Sequence, residues 1–319
     1  MSLSIVVPIY NEINYLESFI KLLLSNFKKE SVEYIFINDG SDDGSAEWLL
    51  NNLPTLQIKN YKYVNLQKNK GKGFALRKGL ELVTCDYILF LDSDMEYDSK
   101  DCLEMYHIIK NNPRMHVLFS SRYLTGKIQH REYFIHNIVS RINTIIFNFL
   151  FSQSISDLHS GTKIISRKVL EKINLSINDF GFEIDISSKI AKNNFMIYEY
   201  GISYIARNYK QGKKITWVDG LLCYYYLFKT RVLENELDTI LSIVYSCIYM
   251  LFAGSYFGLG SGKILIMIVF AFIGITMGLK RKLTTSSIVL LFIYLGSLFS
   301  NGNGKIYTVL IFFIMGLYF

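Results

Sequence analysis

The stretch DYILFLDSD, residues 86–94, carries the strongest fold signal in the sequence. Its apolar run at 87–91 is short and bounded by polar residues, which is typical of a buried strand. The run ends directly in Asp92, Ser93 and Asp94. We therefore expect a buried strand that brings two carboxylates to one edge of a sheet.

Strand-like and helix-like segments alternate before this stretch. The strand-like segments are SIVVPIY (4–10), VEYIFIND (32–39) and YKYVNL (61–66), and helices are predicted over 14–27, 45–53 and 73–83. This alternation predicts an α/β fold in which a mostly parallel sheet is flanked by helices on both faces. Ligands of such sheets bind at the carboxyl ends of the strands. Polar clusters follow three of the predicted strands, at 8–12, 38–45 and 92–94.

The acidic turn after the fourth predicted strand is a candidate metal site. Asp92 and Asp94 would repel each other unless a cation lay between them, because burying unpaired like charges is costly. Hard divalent ions such as Mg²⁺ or Mn²⁺ prefer oxygen ligands and often share them with substrate phosphates. Glu96 is near enough in the sequence to supply a third oxygen. For the tripeptide alone, a solvated acidic turn is the alternative interpretation.

Two further turns fit the binding of a nucleotide. Asp39 follows the second predicted strand, where a carboxylate can bind a ribose hydroxyl or the edge of a base. The segment NKGKG (69–73), which contains Lys72, precedes a predicted helix. Glycine lets the backbone approach a ligand closely, and a helix N-terminus favours an anion. Either turn alone is a weak signal, since turns are expected there whatever the function.

The C-terminal part of the chain differs in composition. Residues 237–319 contain only six charged residues, whereas charges are frequent up to residue 236. We predict a globular domain over 1–231 and a transmembrane domain over 232–319. A spanning helix needs roughly 20 residues. The sequence contains four candidate spans, at 237–257, 264–279, 286–299 and 306–319, and two spans are the alternative because the later stretches are short.

The basic loop at 280–282 indicates how these spans are oriented. Loops rich in Lys and Arg stay in the cytoplasm, and nothing at the N-terminus resembles a signal peptide. We therefore expect a multi-pass protein of the cell membrane with its N-terminal domain in the cytoplasm. The short last spans fit packing within one subunit or between the subunits of a homo-oligomer.

A further apolar stripe at helical spacing covers residues 133–151, with Arg141 and several Asn residues interleaved. The pattern fits either a core helix or an amphipathic helix that lies on the membrane surface. The sequence leaves both interpretations open.

The net charge of +7 raises the question of an anionic partner. The basic residues are dispersed, apart from a group at 207–231 just before the apolar tail. We expect no nucleic-acid partner, because dispersed charge does not form a nucleic-acid-binding patch. Basic residues beside a membrane segment meet anionic headgroups or phosphorylated lipids, so membrane lipids are the expected partners.

Taken together, the motifs resemble a known family. The segments VPIYNE, FINDGSDDGS, NKGKGFALRKGL and FLDSDMEYD have the order and spacing seen in inverting nucleotide-sugar glycosyltransferases of the GT-A fold, family 2 type. The later segments SRY (121–123) and SDLHSGTKIISRKVL (156–170) resemble the branch that glycosylates polyprenyl phosphates. Dolichol-phosphate mannose synthases and undecaprenyl-phosphate glucosyltransferases belong to that branch. The resemblance covers residues 3 to about 231.

The resemblance implies roles for the residues that match these motifs. The implied nucleotide-sugar-binding residues are Pro8, Tyr10, Glu12, Asp39, Lys72, Asp92 and Ser93. The implied metal ligands, for Mg²⁺ or Mn²⁺, are Asp92, Asp94 and Glu96. The implied phosphate-binding residues on the acceptor side are Arg122, Arg131, Arg207 and Lys214. Lys213 occupies a position where the family commonly has Ser, which puts the phosphate contact of that segment in question.

The acceptor is the least determined part of the sequence interpretation. The residues with an expected catalytic role are Asp94, Arg122, Arg131, Glu183 and Asp185. A polyprenyl phosphate is already an anion and needs no general base, whereas a sugar hydroxyl needs one. Glu183 and Asp185, in GFEID, match the region where hydroxyl-acceptor relatives carry their base. They fit equally well as neighbours of a phosphate site or as an acidic pair at a helix N-terminus.

The leading hypothesis is metal-dependent transfer of a hexose from a UDP- or GDP-sugar to a polyprenyl phosphate at the cytoplasmic face. The alternative is transfer to a hydroxyl of a cell-surface glycan or glycolipid, as in the assembly of capsule, teichoic acid or lipopolysaccharide. Processive polysaccharide synthases carry a Gln-x-x-Arg-Trp motif, and Trp217 is not preceded by Arg. A non-catalytic scaffold is a third interpretation, which the intact carboxylates disfavour.

Overall fold

The computed structural model describes residues 2–124, 126–214 and 217–234. The chain divides into two compact units, Met1–Leu227 and Phe228–Phe319. The described part of the second unit is residues 228–234, which include the π-helical turn Lys229–Leu233. The four predicted membrane spans lie outside the described residues.

A seven-stranded sheet forms the centre of the first unit. Its strands lie in the order β3-β2-β1-β4-β7-β5-β8. The strands are β1 (Leu3–Ile9), β2 (Val32–Asn38), β3 (Tyr61–Asn65), β4 (Tyr87–Phe90), β5 (Val117–Ser121), β6 (Gln129–His130), β7 (Lys163–Ser166), β8 (Tyr198–Gly201) and β9 (Tyr204–Ile205). The neighbours β3, β2, β1 and β4 run parallel, while β7 runs antiparallel to both β4 and β5. A separate parallel pair joins β6 to β9.

Helices cover both faces of this sheet. They are α1 (Ile13–Asn26), α2 (Ser45–Asn52), α3 (Lys72–Leu80), α4 (Ser99–Lys110), α5 (Phe134–Phe151), α6 (Arg167–Leu170), α7 (Phe182–Lys192) and α8 (Trp217–Phe228). Two 3₁₀ turns, Leu53–Thr55 and Tyr209–Gln211, complete the described elements. One face of the sheet packs against α1 and α4, and the other face packs against α3 and α7.

The central strands β1, β2 and β4 are almost completely buried, which explains their long apolar runs. All seven residues of β2 and all four of β4 are buried. The alternation of strand and helix therefore produced the predicted mostly parallel α/β sheet, and the predicted early helices begin and end within a few residues of α1, α2 and α3. The antiparallel strand β7 was not predicted, because its four residues KIIS carry a lysine at a fully buried position.

Helix α5 coincides with the apolar stripe predicted over 133–151. Its residues Phe147, Leu150 and Phe151 pack with α7 and α8 in a small core. Its other face exposes Phe134, Ile135, Ile145 and Phe149 by more than half of their surface. Among the described residues, α5 alone has the length and apolar composition of a membrane span, and 28% of it is buried. Length and composition alone do not distinguish a span from a core or surface helix.

Candidate active site

The carboxyl ends of β1, β2 and β4 open into one cavity of about 740 Å³. The predicted site residues that line it are Pro8, Tyr10, Glu12, Asp39, Lys72, Asp92, Ser93, Asp94, Glu96, Arg122, Glu183, Arg207 and Lys214. Ile135 and Val139 of α5 and Tyr224 of α8 line it as well. The sheet edge is thus polar, while the helical wall of the same cavity includes apolar side chains.

Asp39 fixes the glycine loop that precedes α3. Its buried carboxylate accepts hydrogen bonds from the backbone N–H groups of Lys70, at 2.8 Å, and Gly71, at 2.9 Å. Gly71 has a φ of +97°, and a Cβ there would lie 2.5 Å from the carbonyl oxygen of Asn178, so only glycine fits. Burial raises the pKa of Asp39, although the two backbone hydrogen bonds oppose this shift. Asp39 therefore shapes the cavity as well as lining it.

The acidic turn after β4 has the chemistry of a divalent metal site. Burial, reinforced by the negative charges of Glu96 and Asp92, raises the pKa of Asp94 to about 7. Ser93 donates from Oγ to the carbonyl oxygen of Pro8 at 3.0 Å, which ties the ends of β1 and β4 together. A hard divalent cation fits these oxygen donors, because it would offset the repulsion among the carboxylates.

The carboxylates of Asp92, Asp94 and Glu96 are not already arranged as a metal-binding site. Within the part of the chain that the structure describes, no group of three or more His, Cys, Asp or Glu side chains is arranged to hold a metal ion. Cations lie against two of these carboxylates: Lys72 lies 2.8 Å from Asp92, and Arg207 lies 3.3 Å from Asp94. This agrees with ions such as Mg²⁺, which take one or two carboxylates and complete their coordination with phosphate oxygens.

Arg207 and Lys214 meet at Glu12. Arg207 donates to both carboxylate oxygens of Glu12, at 2.7 and 3.1 Å, and Lys214 donates to Glu12 at 2.6 Å. The backbone N–H of Arg207 also donates to Glu96 at 2.8 Å. The two predicted phosphate-binding cations therefore lie beside the acidic turn.

Lys72 links the acidic turn to Glu183. Its ammonium lies 2.8 Å from Asp92 and 3.1 Å from Glu183, and these two negative charges raise its pKa against the effect of burial. Glu183 also forms an ion pair with Lys163, whose pKa is lowered by burial. Neither Lys163 nor this pairing was predicted.

Arg122 is held by a buried carboxylate. Its Nε and Nη2 donate to the two oxygens of Asp157, both at 2.8 Å, and its backbone N–H donates to the same group at 2.9 Å. The guanidinium lies 5.2 Å from the centre of the Tyr204 ring. Beside it, burial and the charge of Arg122 lower the pKa of His159 to about 4, so this imidazole is neutral at pH 7.

A second, smaller cavity of about 50 Å³ adjoins the first. Its charged residues include Arg122, Arg131 and Lys213, and Tyr123, Tyr133 and Tyr204 also line it. Arg122, Tyr204 and Lys213 line both cavities. Arg131, predicted at the site, thus lies in the smaller cavity rather than in the larger one, and its Nη2 donates to the carbonyl oxygen of Arg122.

The structure places Asp185 apart from the other predicted site residues. We expected a catalytic role for it, but it does not line either cavity and is fully buried. Its carboxylate accepts from the backbone N–H groups of Ser176, at 2.7 Å, and Ile177, at 3.1 Å, and lies 2.6 Å from Lys189. Asp185 is two residues from Glu183 on α7 and so points to a different side of the helix. It fixes the loop before α7.

The sequence analysis did not predict several other residues of the larger cavity, among them Tyr97, His159 and Gly161. Gly161 is the one with a recognisable signal, since it lies in the quoted segment SDLHSGTK and glycine suggests close approach. A Cβ at Gly161 would lie 2.3 Å from the Asp92 carboxylate. The contacts of the others join distant parts of the chain and leave no local pattern.

Comparison with known proteins identifies the family. Residues 4–174 match the family described as Glycosyl transferase family 2. The chain is 28% identical over 215 residues to a dolichyl-phosphate beta-glucosyltransferase of Dictyostelium discoideum, covering 63% of this chain and 66% of that protein. It is 32% identical over 130 residues to a poly-beta-1,6-N-acetyl-D-glucosamine synthase of Staphylococcus aureus (strain MSSA476), covering 39% of this chain and 31% of that protein. The chain therefore spans just under two thirds of the first relative and about a third of the second.

The fold is also that of solved glycosyltransferase structures. Glucosyl-3-phosphoglycerate synthase from Mycobacterium tuberculosis, in complex with Mn²⁺, uridine diphosphate and glucosyl-3-phosphoglycerate, matches with a TM-score of 0.57 and 16% identity, covering 74% of this chain and 82% of that one. The same enzyme with Mn²⁺, UDP-glucose and glycerol 3-phosphate matches with a TM-score of 0.58, 16% identity and the same coverage. At this identity the likeness concerns the fold, and it confirms the predicted GT-A architecture. The family match covers more than half of the sequence, and the chain belongs to glycosyl transferase family 2.

Proposed function

We propose that this chain is a membrane-bound inverting glycosyltransferase that moves a hexose from a UDP- or GDP-sugar to a polyprenyl phosphate at the cytoplasmic face of the membrane. The relative from Dictyostelium discoideum, whose name specifies dolichyl phosphate, supports a lipid phosphate as the acceptor. The solved structures that share the fold include complexes with Mn²⁺ and with Mg²⁺, which supports a divalent metal.

The smaller cavity is the observation that carries the acceptor assignment. It is a small cavity of about 50 Å³, and three cations, Arg122, Arg131 and Lys213, outnumber the carboxylate of Glu132 in its lining. Guanidinium and ammonium groups are the side chains that bind phosphate most strongly. The adjoining larger cavity has the carboxylates that suit a metal-bound diphosphate. A phosphate acceptor and a nucleotide-sugar donor would then occupy neighbouring pockets.

The charges of the larger cavity suit departure of a nucleoside diphosphate. A divalent metal held by Asp94, with Asp92 and Glu96 close by, would neutralise the diphosphate when bound. Arg207 and Lys214 add two cations beside this turn, where they can stabilise negative charge that develops on the leaving group. Asp39 and its glycine loop form the wall against which the nucleotide binds.

The acceptor side needs no proton acceptor in this scheme. A polyprenyl phosphate is an anion near neutral pH, so its oxygen can attack the anomeric carbon directly. One direct displacement inverts the configuration at that carbon. Arg122 and Arg131 would hold the attacking phosphate, and Asp157 keeps Arg122 in a fixed orientation through its bidentate contact.

We also propose that the enzyme lies at the membrane surface through α5 and is anchored by spans within 232–319. The exposed face of α5 presents Phe134, Ile135, Ile145 and Phe149, large apolar groups that suit the boundary between headgroups and acyl chains. Ile135 also lines the larger cavity, so this face continues into the site. A lipid-linked acceptor would reach the cavity from the side that faces the bilayer.

The proposal is tested by transfer assays on membranes that contain the full chain. Labelled UDP- and GDP-sugars are offered with undecaprenyl phosphate or with glycan acceptors, with Mn²⁺ or Mg²⁺ present. We expect a labelled polyprenyl product with at least one donor, and Asp94→Ala should abolish it. Product on a glycan acceptor and none on the lipid phosphate would contradict the proposal.

Transfer to a sugar hydroxyl is the second candidate. The poly-beta-1,6-N-acetyl-D-glucosamine synthase relative supports it, as does the presence of Glu183 in the larger cavity. A base for a hydroxyl must be free to take up a proton. Glu183 instead pairs with both Lys72 and Lys163, which favours the lipid phosphate acceptor.

A further inference from the structure

Four alternating charges run from the floor of the larger cavity into the sheet. Asp92 pairs with Lys72 at 2.8 Å, Lys72 pairs with Glu183 at 3.1 Å, and Glu183 pairs with Lys163. The first three side chains are partly accessible from the cavity, whereas the Lys163 side chain is 1% exposed. The line therefore begins at the acidic turn and ends inside the sheet.

Lys163 is unusual for a central strand residue. It lies on β7, between β4 and β5, and its ammonium contacts the carbonyl oxygen of Ser160 and one carboxylate oxygen of Glu183. Burying an ammonium is costly unless it is paired and hydrogen-bonded. An apolar residue would fill this position at a lower cost in free energy. We therefore look for the role of Lys163 in its contact with Glu183.

We propose that Lys163 is a positioning residue that holds Glu183 in place, and that Glu183 and Lys72 recognise the hydroxyls of the donor sugar. The inference rests on the proposed function, since it concerns the sugar of a nucleotide-sugar bound in the larger cavity. It assigns Glu183 to the choice of sugar instead of to proton transfer.

The arrangement suits a polyhydroxylated ring. A sugar hydroxyl both donates and accepts a hydrogen bond. Neighbouring hydroxyls therefore pair well with a carboxylate and an ammonium that lie side by side, as Glu183 and Lys72 do. Gly161 lets this floor approach Asp92 closely, because a Cβ there would lie 2.3 Å from the carboxylate. The sugar end of the donor would thus adjoin the metal end of the cavity.

The two lysines argue against a base at this position. Oε1 of Glu183 faces Lys72 and Oε2 faces Lys163. A proton on Glu183 would weaken both ion pairs and leave the buried Lys163 without a charged partner. Binding of hydroxyls leaves both pairs intact. A site built to hydrogen-bond a hydroxyl also discriminates strongly against a donor that lacks it.

The test separates recognition of the sugar from recognition of the nucleotide. Four purified full-length proteins are compared: wild type, Glu183→Gln, Lys163→Met and the surface control Lys21→Met. Each is titrated in the presence of Mn²⁺ with UDP and UDP-glucose, and with GDP and GDP-mannose. The quantity of interest is the ratio of the Kd of the nucleoside diphosphate to the Kd of its sugar conjugate. Thermal melting checks the fold of each variant. If Lys163→Met does not fold, Glu183→Gln decides the outcome, because glutamine keeps the shape of the side chain.

We expect the ratio to fall about tenfold in Glu183→Gln and in the same direction in Lys163→Met, with the Kd of the nucleoside diphosphate changed less than twofold. Lys21→Met should behave as wild type. An unchanged ratio with lost turnover would make Glu183 a base and overturn the inference. An equal loss of affinity for the nucleoside diphosphate and for the nucleotide-sugar would mean that Lys163 and Glu183 only support the structure. That result would also overturn the inference. Wild-type chain that binds no nucleotide-sugar would instead refute the proposed function.

Discussion

At the scale of single residues, the raised pKa of Asp94 would make the proposed metal binding sensitive to pH. Burial and the neighbouring carboxylates raise this pKa to about 7. The metal needs the ionised carboxylate, so a proton competes with it below pH 7 and ceases to compete above pH 8. We expect the Mn²⁺ affinity of the full chain to rise about tenfold per pH unit up to pH 7 and then to level off.

Titration of free Mn²⁺ by electron paramagnetic resonance between pH 5.5 and 8.5 measures this dependence. The Asp94→Asn variant should bind Mn²⁺ more weakly and lose most of the pH dependence. A wild-type affinity that stays constant between pH 6 and 8 would contradict the assignment of Asp94 as a ligand.

Substitution of Lys213, which lines both cavities, tests whether its charge serves the acceptor or the donor. Its ammonium lines the smaller cavity with Arg122 and Arg131. Lys213→Met should raise the KM for a polyprenyl phosphate roughly tenfold, or about 1.4 kcal/mol, while Lys213→Arg should retain most of the affinity. Steady-state kinetics with both substrates varied would show the effect. An equal rise in the KM of the nucleotide-sugar would argue that Lys213 serves the donor instead.

At the scale of elements, the clamp between the end of β2 and the loop before α3 should contribute to stability. Asp39→Ala removes the acceptor of two backbone hydrogen bonds, from Lys70 and Gly71. A hydrogen bond to a charged group contributes roughly 1.5–3 kcal/mol. We expect the free energy of unfolding of the N-terminal domain to fall by about 2 kcal/mol and nucleotide affinity to fall with it. Denaturant titration with and without UDP measures both, and an unchanged UDP affinity would exclude the clamp as part of the nucleotide site.

The proposed contact with the membrane depends on helix α5. A spin label at Ile145→Cys, on its exposed face, should collide more often with oxygen than with a water-soluble nickel complex when the full chain is in vesicles. Leu50→Cys on α2 is the matched control, since Leu50 is 64% exposed and Ile145 is 66% exposed. Equal accessibility to the nickel complex at both positions would mean that α5 faces water.

The elements differ in how far the sequence determines them. Strands β1 to β4 could be predicted because each is a short apolar run followed by a polar turn, and α1 and α5 because their apolar residues recur at helical spacing. Strand β7 could not, since Lys163 is stabilised by a partner 20 residues away on α7. Its pairing with both β4 and β5 is likewise a long-range contact without a local signature.

At the scale of the whole molecule, the order of the motifs indicated which residues share one cavity better than any single motif did. Most residues inferred from the motifs line the larger cavity because parallel strands bring their carboxyl ends to one edge. The ion pairs among them were not predictable. Arg207 and Glu12 are 195 positions apart. Glu183 lines the cavity and Asp185 binds a buried loop because of the way α7 packs. The proposed choice of acceptor also depends on cavities that distant parts of the chain form together, so no local pattern in the sequence predicts it.

The requirement for a phosphate on the acceptor is the most direct test of the account. Purified full chain in vesicles is offered its preferred labelled nucleotide-sugar and either undecaprenyl phosphate or undecaprenol, which differ only in the phosphate. We predict transfer to undecaprenyl phosphate and no detectable transfer to undecaprenol, with the first reaction reduced in Lys213→Met. Equal transfer to both lipids, or transfer to undecaprenol alone, would contradict a phosphate acceptor held by Arg122, Arg131 and Lys213.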